Sequence, residues 1–343
     1  QEGDDGEQKI AMGGKTANGM LLGYDLETGE EERRILAEEI RSPEHHHRCY
    51  RNKATTNYIL SGMEGIEMLG FSGADPSQNN WLRGACKYGI MPANGLMYVP
   101  PDQCFCHPGS KLLGFTAVKA DPESPTPETP DEERLAQGPA FGTLSAETEL
   151  AADAWPTFRS DASRSGSTIA KISLDADSTP AWNTHLGGRL TQPIAANGRV
   201  YVASRDEYTL YAIDAASGEI LWIHRTGGRI DSPPTLYGDA LLVGSADGRV
   251  TCLSAEDGAV AWTFLAAPSD QRIGAFDRFE SVWPVHGSVL VHENIAYVAA
   301  GRSTYLDGGI RLWGFDPLTG EILHRGLLEG PHPDETGERD FSF

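Results

Sequence analysis

One turn template occurs four times in this chain, and it constrains the fold more than any other feature. The four copies are GYDLETGEEER (23–33), AIDAASGEILW (212–222), CLSAEDGAVAW (252–262) and GFDPLTGEILH (314–324). Each copy reads as a strand, a turn closed by a glycine, and a second strand, because glycine takes positive φ without a Cβ clash and alternating residues resume after it. The turn glycines are Gly29, Gly218, Gly258 and Gly320.

A second recurring segment lies upstream of the turn units and also reads as a strand. Its copies are GRVYVAS (198–204), DALLVGS (239–245), ENIAYVAA (293–300) and, more loosely, GLMYVPP (95–101) and NYILSG (57–62). Together the two segments predict a four-stranded antiparallel sheet, and Gly218 and Gly258 lie 40 residues apart, as in repeated blades. Gly258 and Gly320 lie 62 residues apart, which predicts an inserted loop over 268–285.

A single sheet of this kind cannot bury both of its faces, whereas sheets stacked radially can. We therefore predict an all-β fold, a β-propeller of four-stranded antiparallel blades. About six blades or partial blades are visible, as part of a seven- or eight-bladed propeller. Residues 188–326 should form three consecutive blades. Helices should be scarce, because apolar residues almost never recur at i, i+3, i+4 and i+7.

The turns DAASGEILW and SAEDGAVAW resemble the repeats of pyrroloquinoline-quinone-type (PQQ-like) propellers. WPTFRSDASRSG (155–166) resembles a segment that opens such propellers in exported bacterial proteins. The stretches HHHRCYRNKAT, WLRGACKYGIMPANGLMYVPP and SVWPVHGSVLV further resemble large exported propeller proteins of planctomycete-like bacteria. The resemblance implies a propeller fold and an extracytoplasmic location. It leaves the activity open, because PQQ-like repeats occur both in quinoprotein dehydrogenases and in assembly proteins.

Charge excludes one class of partner. The chain has 28 Lys and Arg against 49 Asp and Glu, a formal net charge of −21, so nucleic acid is not an expected ligand. There is no apolar run of about 18 residues, so no transmembrane segment is predicted in this chain. The first residues carry no signal-peptide pattern, and we expect any export signal to lie outside this sequence.

Composition divides the chain into three regions. Residues 1–118 read as propeller blades with Cys- and His-rich loops, residues 119–154 as an acidic, proline-rich linker, and residues 155–343 as blades with PQQ-like repeats. The linker has almost no large apolar residue, so burial cannot repay its ordering entropy. We expect it to cross the surface as an extended or mobile strap.

The cysteines are unevenly distributed. Four of them lie within 58 residues: Cys49, Cys86, Cys104 and Cys106. In an exported protein they suggest at least one disulfide, with a connectivity that the sequence leaves open. The alternatives are free thiols or a zinc site formed by Cys104, Cys106, His107, Cys49 and histidines 45–47. Cys252 stands alone in the strand-like RVTCLS and should be a buried, unpaired filler.

Quinoprotein alcohol dehydrogenases, by the same resemblance, pair adjacent cysteines over the quinone and hold calcium with Glu, Asn and Asp. This chain has Cys104-Phe105-Cys106 instead of an adjacent pair, and no Asn-Asp calcium signature. The sequence therefore favours a propeller without PQQ and calcium, and we assign no metal ligand.

A first candidate site combines HHHRCYR (45–51) with WLRGACKYG (81–89) and Asn94. Arginine binds carboxylate or sulfate through two parallel hydrogen bonds, and an aromatic ring stacks on a sugar face. The candidate ligand-binding residues are His45, Arg48, Trp81, Arg83, Lys87, Tyr88 and Asn94, and the candidate acid–base residues are His46, His47 and Tyr50. The alternative is a polar loop whose histidines bond to backbone carbonyls.

A second candidate site lies in the predicted insertion, FDRFESVWPVHGS (276–288), together with GRSTYLDGG (301–309). Long loops are often functional. Trp283 and Arg302 are its candidate ligand-binding residues, with Asp277, Arg278, Glu280, His286, Tyr305 and Asp307 around them. The alternative is an Arg–Asp contact that closes the blades.

Three functions are consistent with these features. The first is an exported binding propeller that recognises an anionic glycan or a protein partner. The second is a lyase-like enzyme on an acidic polysaccharide, with His and Tyr as acid and base and Arg neutralising a carboxylate. The third is a quinone-dependent oxidoreductase.

Overall fold

A computed structural model describes residues 20–36, 51–62, 65–70, 77–79, 82–101, 114–119, 128–171, 179–275, 278–304 and 307–329. These residues form an all-β structure. Their only helix is one 3-10 turn, Asp131–Glu133, which confirms the predicted scarcity of helices. In the described part of the chain, no helix has the length and apolarity needed to cross a membrane.

The chain divides into two compact units. Unit 1 comprises residues 1–124, 274–277 and 331–343, and unit 2 comprises residues 125–273 and 278–330. The described strands of unit 1 form three antiparallel sheets, β1–β2, β3–β4–β5–β6 and β7–β8–β9. Their bounds are Met20–Tyr24 (β1), Glu31–Leu36 (β2), Lys53–Ala54 (β3), Tyr58–Ser61 (β4), Ile66–Gly70 (β5), Ser77–Asn79 (β6), Met91–Ala93 (β7), Leu96–Val99 (β8) and Thr116–Val118 (β9).

Unit 2 contains three four-stranded antiparallel blades. Blade 1 consists of Ile194–Ala196 (β11), Arg199–Ser204 (β12), Thr209–Asp214 (β13) and Ile220–Arg225 (β14). Blade 2 consists of Thr235–Tyr237 (β15), Ala240–Gly244 (β16), Arg249–Ser254 (β17) and Val260–Leu265 (β18). Blade 3 consists of Leu290–His292 (β21), Ile295–Ala300 (β22), Ile310–Phe315 (β23) and Ile322–Leu328 (β24). The prediction of three consecutive blades over 188–326 is confirmed.

The predicted insertion lies between β18 and β21. It holds two short strands, Arg272–Ala275 (β19) and Arg278–Ser281 (β20). In unit 1, NYILSG does not begin its sheet as an inner strand, because Lys53–Ala54 precedes it and pairs with Tyr58–Ser61. A two-residue strand is too short to show the alternation by which strands are predicted.

The repeated turns take the predicted geometry. Gly218, Gly258 and Gly320 have φ of 78°, 74° and 72°. In blade 1 the Asp214 carboxylate accepts the N–H groups of Ala216 and Ser217 at 3.0 and 2.7 Å, and the Gly218 N–H donates to the Asp214 carbonyl at 2.9 Å. The turn is therefore closed by its own aspartate, which is a local property of the template.

A tryptophan joins each blade to the next. Trp222 Nε1, at the middle of β14, donates to the carbonyl of Ala255 in the blade 2 turn at 3.2 Å. A Cβ added to Gly258 would lie 2.7 Å from the Trp222 ring. Trp182 repeats the arrangement on blade 1, with Nε1 donating to the Ala215 carbonyl at 3.0 Å. Gly218 and Gly258 thus have two roles: each takes a positive φ, and each lets an indole approach the backbone closely.

The described part of the linker contains one 3-10 turn, one short strand and irregular segments, and it is anchored to blade 2. Leu135–Gln137 (β10) pairs antiparallel with β18 and forms a fifth strand on that blade. The buried Arg134 guanidinium donates to the carbonyls of Leu265 and Ala267 at 3.0 and 2.7 Å. Ala140 enters the core beneath it. The composition of this segment predicted only a strap on the surface. Arg134 and small residues such as Ala140 nevertheless bind it to blade 2.

The segment that follows lies along the first strands of the three blades. Trp155 exchanges two backbone hydrogen bonds with Ala195 of β11, at 2.7 and 2.9 Å. The Leu236 N–H of β15 donates to the Pro156 carbonyl at 2.8 Å. Arg164 Nη2 reaches the Val289 carbonyl, next to β21, at 3.3 Å. WPTFRSDASRSG therefore links all three blades of unit 2.

Candidate functional site

The loops of unit 2 gather their charged residues at one end of the blades. Strands alternate in direction within a blade, so the loop between the second and third strands and the loop to the next blade lie at the same end. We call this the loop end. Its described loops are residues 205–208, 226–234, 245–248, 266–275, 278–289, 301–304 and 307–309.

Asp231 lies at the centre of a charged cluster at the loop end. Its Oδ1 accepts Arg205 Nη2 at 2.6 Å and Arg229 Nε at 2.8 Å, and its Oδ2 lies 2.7 Å from His286 Nδ1. Burial opposes ionisation of Asp231, but the hydrogen bonds from His286, Arg229 and Arg205 outweigh it and lower the pKa of this carboxyl. Asp231 is therefore ionised at neutral pH.

Glu280 extends the cluster inward. Its Oε1 lies 2.6 Å from Arg302 Nη2 and its Oε2 lies 3.3 Å from Arg229 Nη1. The side chains of Arg302 and Glu280 are only 1% and 2% exposed. We call the six residues the loop-end cluster: Arg205, Arg229, Asp231, Glu280, His286 and Arg302. Buried pairs of this kind are costly to separate, because one partner would be left charged without compensation.

A more exposed patch borders the cluster. Arg278 Nη1 donates to the Asp206 carbonyl at 2.6 Å, and its guanidinium lies 5.4 Å from the centroid of the Tyr208 ring. Arg189 binds the Asp206 carboxylate through two hydrogen bonds of 2.8 and 3.1 Å. Phe279 and Leu190, the chain neighbours of these two arginines, are 76% and 47% exposed. We call Arg189, Leu190, Tyr208, Arg278 and Phe279 the loop-end patch.

The two predicted residues of the second site both lie at this end. Arg302 is held by Glu280, so it contributes an ion pair within the fold. Trp283 Nε1 donates to the Asp307 carbonyl at 2.8 Å, and this bond joins the insertion to the loop 301–309. Burial raises the pKa of the Asp307 carboxyl to about 6, although Arg302 lowers it. Tyr305 and Asp277 lie outside the described residues.

The WLRGACKYG stretch lies in unit 1 and has two kinds of residue. Arg83 is 2% exposed and its Nη1 donates to the Gly62 carbonyl at 3.0 Å. Arg83 is therefore buried in unit 1, and the ligand-binding role predicted for it stays a prediction. Lys87 and Tyr88 are exposed on a turn, and Lys53 Nζ donates to the Tyr88 carbonyl at 3.1 Å.

Asn94 is separated from that stretch by a strand. It lies with Gly95 in the two-residue turn between β7 and β8, with φ of 54° and 71°. Positive φ at both positions is typical of the Asn-Gly hairpin turn. Asn94 is therefore at the opposite end of β7 from Lys87 and Tyr88, and the structure does not bring these candidates together.

The remaining candidates lie outside the described residues: His45, His46, His47, Arg48, Cys49, Tyr50, Trp81, Cys104 and Cys106. The ligand, acid–base, zinc and disulfide roles that we predicted for them stay predictions. Cys86 is half-buried in the turn that follows Ala85. Cys252 is a buried free thiol in β17, as expected, and burial raises its pKa to about 12.

Sequence reasoning missed three members of the loop-end cluster, Arg205, Arg229 and Asp231. A signal was present, because Gly-Gly-Arg occurs at 187–189 and again at 227–229, 40 residues later. In both places the arginine lies five or six residues before the first strand of a blade. A motif repeated in register with the blades indicates a shared position at one end of the propeller.

The loop end can be tested as a site for the calcium ion that accompanies a quinone. All four oxygens of Asp231 and Glu280 already face guanidinium or imidazole groups. A hard cation needs several free oxygen ligands, so this donor set does not fit calcium. No cluster of three or more His, Cys, Asp or Glu suited to a metal occurs within the described ranges.

Comparison with known proteins bears on the repeats. A family model described as outer membrane protein assembly factor BamB matches residues 161–278, which include blades 1 and 2. A quinoprotein ethanol dehydrogenase of Pseudomonas aeruginosa is 28% identical over 194 residues, which cover 47% of this chain and 28% of that protein. The chain is a PQQ-like β-propeller repeat protein.

Three further proteins are similar to this PQQ-like chain in sequence or in fold. The BamB of Moranella endobia is 33% identical over 69 residues, 20% of this chain and 18% of that protein. A europium-containing methanol dehydrogenase superposes with a TM-score of 0.43 at 17% identity, covering 53% of this chain and 33% of the other. BamB from Moraxella catarrhalis gives a TM-score of 0.33 at 16% identity, covering 82% and 64%. The chain spans little more than a quarter of the length of the quinoprotein relatives it matches.

Proposed function

We propose that this PQQ-like propeller protein is an extracytoplasmic binding protein that holds a protein partner at the loop end of unit 2. The observation that carries the proposal is the loop-end patch, where Phe279 is 76% exposed beside ordered arginines. The name of the BamB relatives, outer membrane protein assembly factor, supports a protein partner and a location outside the cytoplasm.

The composition of the loop-end patch suits a protein interface. Aromatic residues and arginine are enriched at the centres of such interfaces and carry most of the binding energy. Burying the Phe279 side chain against a partner would contribute about 2 kcal/mol to the free energy of binding. Arg189 and Arg278 are already held by Asp206 and Tyr208, so little side-chain entropy is lost when a partner binds.

The loop-end cluster supports a binding role over an acid–base role. Asp231 is paired with three basic side chains and Glu280 with two. Neither carboxylate is available as a general base without breaking a buried ion pair. The anionic glycan and the lyase-like alternative depend on His45, His46, His47, Arg48 and Tyr50, and they stay predictions.

Photo-crosslinking in the native host tests the proposal. A photoreactive phenylalanine analogue at position 279 of the full chain should give one discrete protein adduct. The matched control is the same analogue at Ile169, which is 74% exposed and belongs to none of the loop-end loops. Leu190→Asp should abolish the adduct at 279 while leaving the melting temperature unchanged. No adduct at 279, or equal yields at 279 and 169, would contradict the proposal.

A quinone-dependent oxidoreductase is the second candidate, and the 28% identity to quinoprotein ethanol dehydrogenases favours it. The described donor set does not fit the calcium ion, so we derive no step through the quinone. Adding PQQ and calcium to the full chain and measuring bound quinone absorbance together with ethanol-dependent dye reduction decides this. Stoichiometric quinone binding with dye reduction would replace the binding role by an enzymatic one.

A further inference from the structure

We propose that the open edge of β14, the outer strand of blade 1, captures an extended segment of a protein partner as an added antiparallel strand. This surface is distinct from the loop-end patch, and the inference goes beyond the proposed function.

Blade 2 shows how such a strand is held. On β18, the Leu265 N–H donates to the Arg134 carbonyl at 2.8 Å, and the Ala261 carbonyl accepts the Gly138 N–H at 2.7 Å. Ala136 pairs with Thr263 between these two bonds. The backbone groups of alternate residues of β18, at 261, 263 and 265, therefore point outward and bind the strap.

Blade 1 repeats this geometry without the added strand. The Thr226 N–H donates to the Tyr208 carbonyl within blade 1, and the Ala266 N–H donates to the Gly248 carbonyl within blade 2, both at 2.9 Å. β14 and β18 therefore have the same hydrogen-bonding register. Trp222 and Trp262 occupy the same position of the template. It follows that Leu221, Ile223 and Arg225 turn their backbone groups outward. β14 is the last strand of its sheet in the described residues, whereas β18 is not.

The side chains of β14 also suit a partner. Ile220, Leu221 and Ile223 are exposed aliphatic residues on this edge, and Ile223 is 54% exposed. Natural edge strands are commonly blocked by lysine, proline or a bulge, and residues 220–223 carry no charge or proline. β14 has a bulge at Leu221, but β18 has the same bulge at Ala261 and still binds the strap there. The outer strand of blade 3 differs, because it carries Arg325 and Gly326 at its middle and Arg325 Nη2 is paired with Asp131 at 2.7 Å. The open edge of β14 is therefore the better acceptor.

These features define the occupant. It is an extended segment free of proline, with aliphatic residues facing Leu221 and Ile223. In the antiparallel direction its amino-terminal part lies near Arg225, as Arg134 lies near Leu265, so an acidic residue fits there. This segment belongs to another protein, and pairing with a second copy of this chain is the alternative that the experiment has to separate.

Amide hydrogen exchange of the full chain with a synthetic peptide tests the inference. The probe is a short peptide of alternating valine and threonine with glutamate near its amino end. At millimolar peptide, exchange at Leu221, Ile223 and Arg225 should slow by about tenfold. A peptide with the same side chains and N-methylated alternate amides should give no protection, because it cannot pair as a strand.

Two variants make the result specific. Ile223→Lys should abolish the protection, because it removes the aliphatic contact and blocks the edge with a charge. Ile169→Lys, a substitution at a similarly exposed isoleucine, should retain it. No protection of β14 in the parent chain, or equal protection by the N-methylated peptide, would overturn the inference. Self-association of the parent in sedimentation that Ile223→Lys abolishes would also overturn it, in favour of a second copy. The crosslink at position 279 should be unaffected by Ile223→Lys, so the two proposals fail separately.

Discussion

At the scale of single residues, two carboxyls of the loop end show that burial raises the pKa of a carboxyl and that pairing with basic groups lowers it. Asp231 and Asp307 lie in neighbouring loops of unit 2. Three basic groups hold Asp231 and lower its pKa, despite burial. Burial is the main influence on the Asp307 carboxyl and raises its pKa to about 6. The two carboxyls therefore contribute to stability over different pH ranges.

Asp307→Asn should stabilise the protein at neutral pH. The folded-state pKa of about 6 exceeds the unfolded value of about 3.9, so the folded state binds more protons between these values. The contribution of Asp307 is fully present below about pH 4 and is lost as the pH rises to about 6. The variant should gain about 2 kcal/mol in unfolding free energy at pH 7 and nothing at pH 4. Urea denaturation at both pH values measures this. Parallel pH profiles for the two proteins would contradict it.

At the scale of structural elements, the turn glycines of unit 2 do more than close a hairpin. Gly258 and Gly320 both face the indole of the preceding blade, Trp222 and Trp262 respectively. The same residues thus determine a local turn and a contact between blades. This dual role makes the turn a sensitive position for mutation.

Gly258→Ala should cost about 3 kcal/mol in unfolding free energy, because it adds strain at positive φ and a clash with Trp222. Gly198→Ala is the matched control. Gly198 has φ of 71° but nothing within 4 Å of its added Cβ, so it should cost only about 1 kcal/mol. Denaturant unfolding of both variants gives the comparison. Equal losses would show that the indole contact contributes nothing.

The strap is a second element that depends on one residue. Arg134→Ala removes hydrogen bonds to the buried carbonyls of Leu265 and Ala267 and the contact over Trp313, at 5.0 Å from its ring centroid. We expect the free energy of unfolding to fall by about 3 kcal/mol and residues 128–141 to be cleaved rapidly by protease. Arg325→Ala, at an exposed arginine over the same indole, should cost less than about 1 kcal/mol. Retained protease resistance in Arg134→Ala would contradict the assigned role.

At the scale of the whole of unit 2, the three blades are joined by a segment that belongs to none of them. Residues 155–164 hydrogen-bond to the first strands of blades 1 and 2 and reach the residue before the first strand of blade 3. Arg164 is central, because its Nη1 also binds the Thr157 hydroxyl and the Phe158 carbonyl, both at 2.8 Å. Unit 2 should therefore unfold as one cooperative body.

Arg164→Ala tests this cooperativity. The free energy of unfolding of the variant should fall by about 2 kcal/mol. Its dependence on denaturant concentration should also be smaller, because the blades then unfold in stages. Lys171→Ala, at an exposed residue just beyond the segment, should leave both quantities unchanged. A single transition of unchanged slope in Arg164→Ala would show that packing between blades alone maintains cooperativity.

The sequence by itself determined the blades of unit 2. Turn geometry at Gly218, Gly258 and Gly320, and the alternation of the flanking strands, depend on residues a few positions apart, and local sterics and hydrogen bonds settle them. The buried Cys252 in its strand followed from the same local pattern. These are the features for which sequence pattern and structure agree.

Tertiary structure alone decided how distant loops meet. Asp231 and His286 are 55 residues apart, and only the radial stacking of blades brings them within 2.7 Å. The Arg83 side chain is buried and its Nη1 donates to the Gly62 carbonyl, a contact that no local pattern reveals. The strap pairs with β18, where Arg134 donates to buried carbonyls, whereas no strand among the described residues pairs with the equivalent edge of β14. Charge pairing and edge pairing depend on which groups packing brings together, and that is set by the fold as a whole.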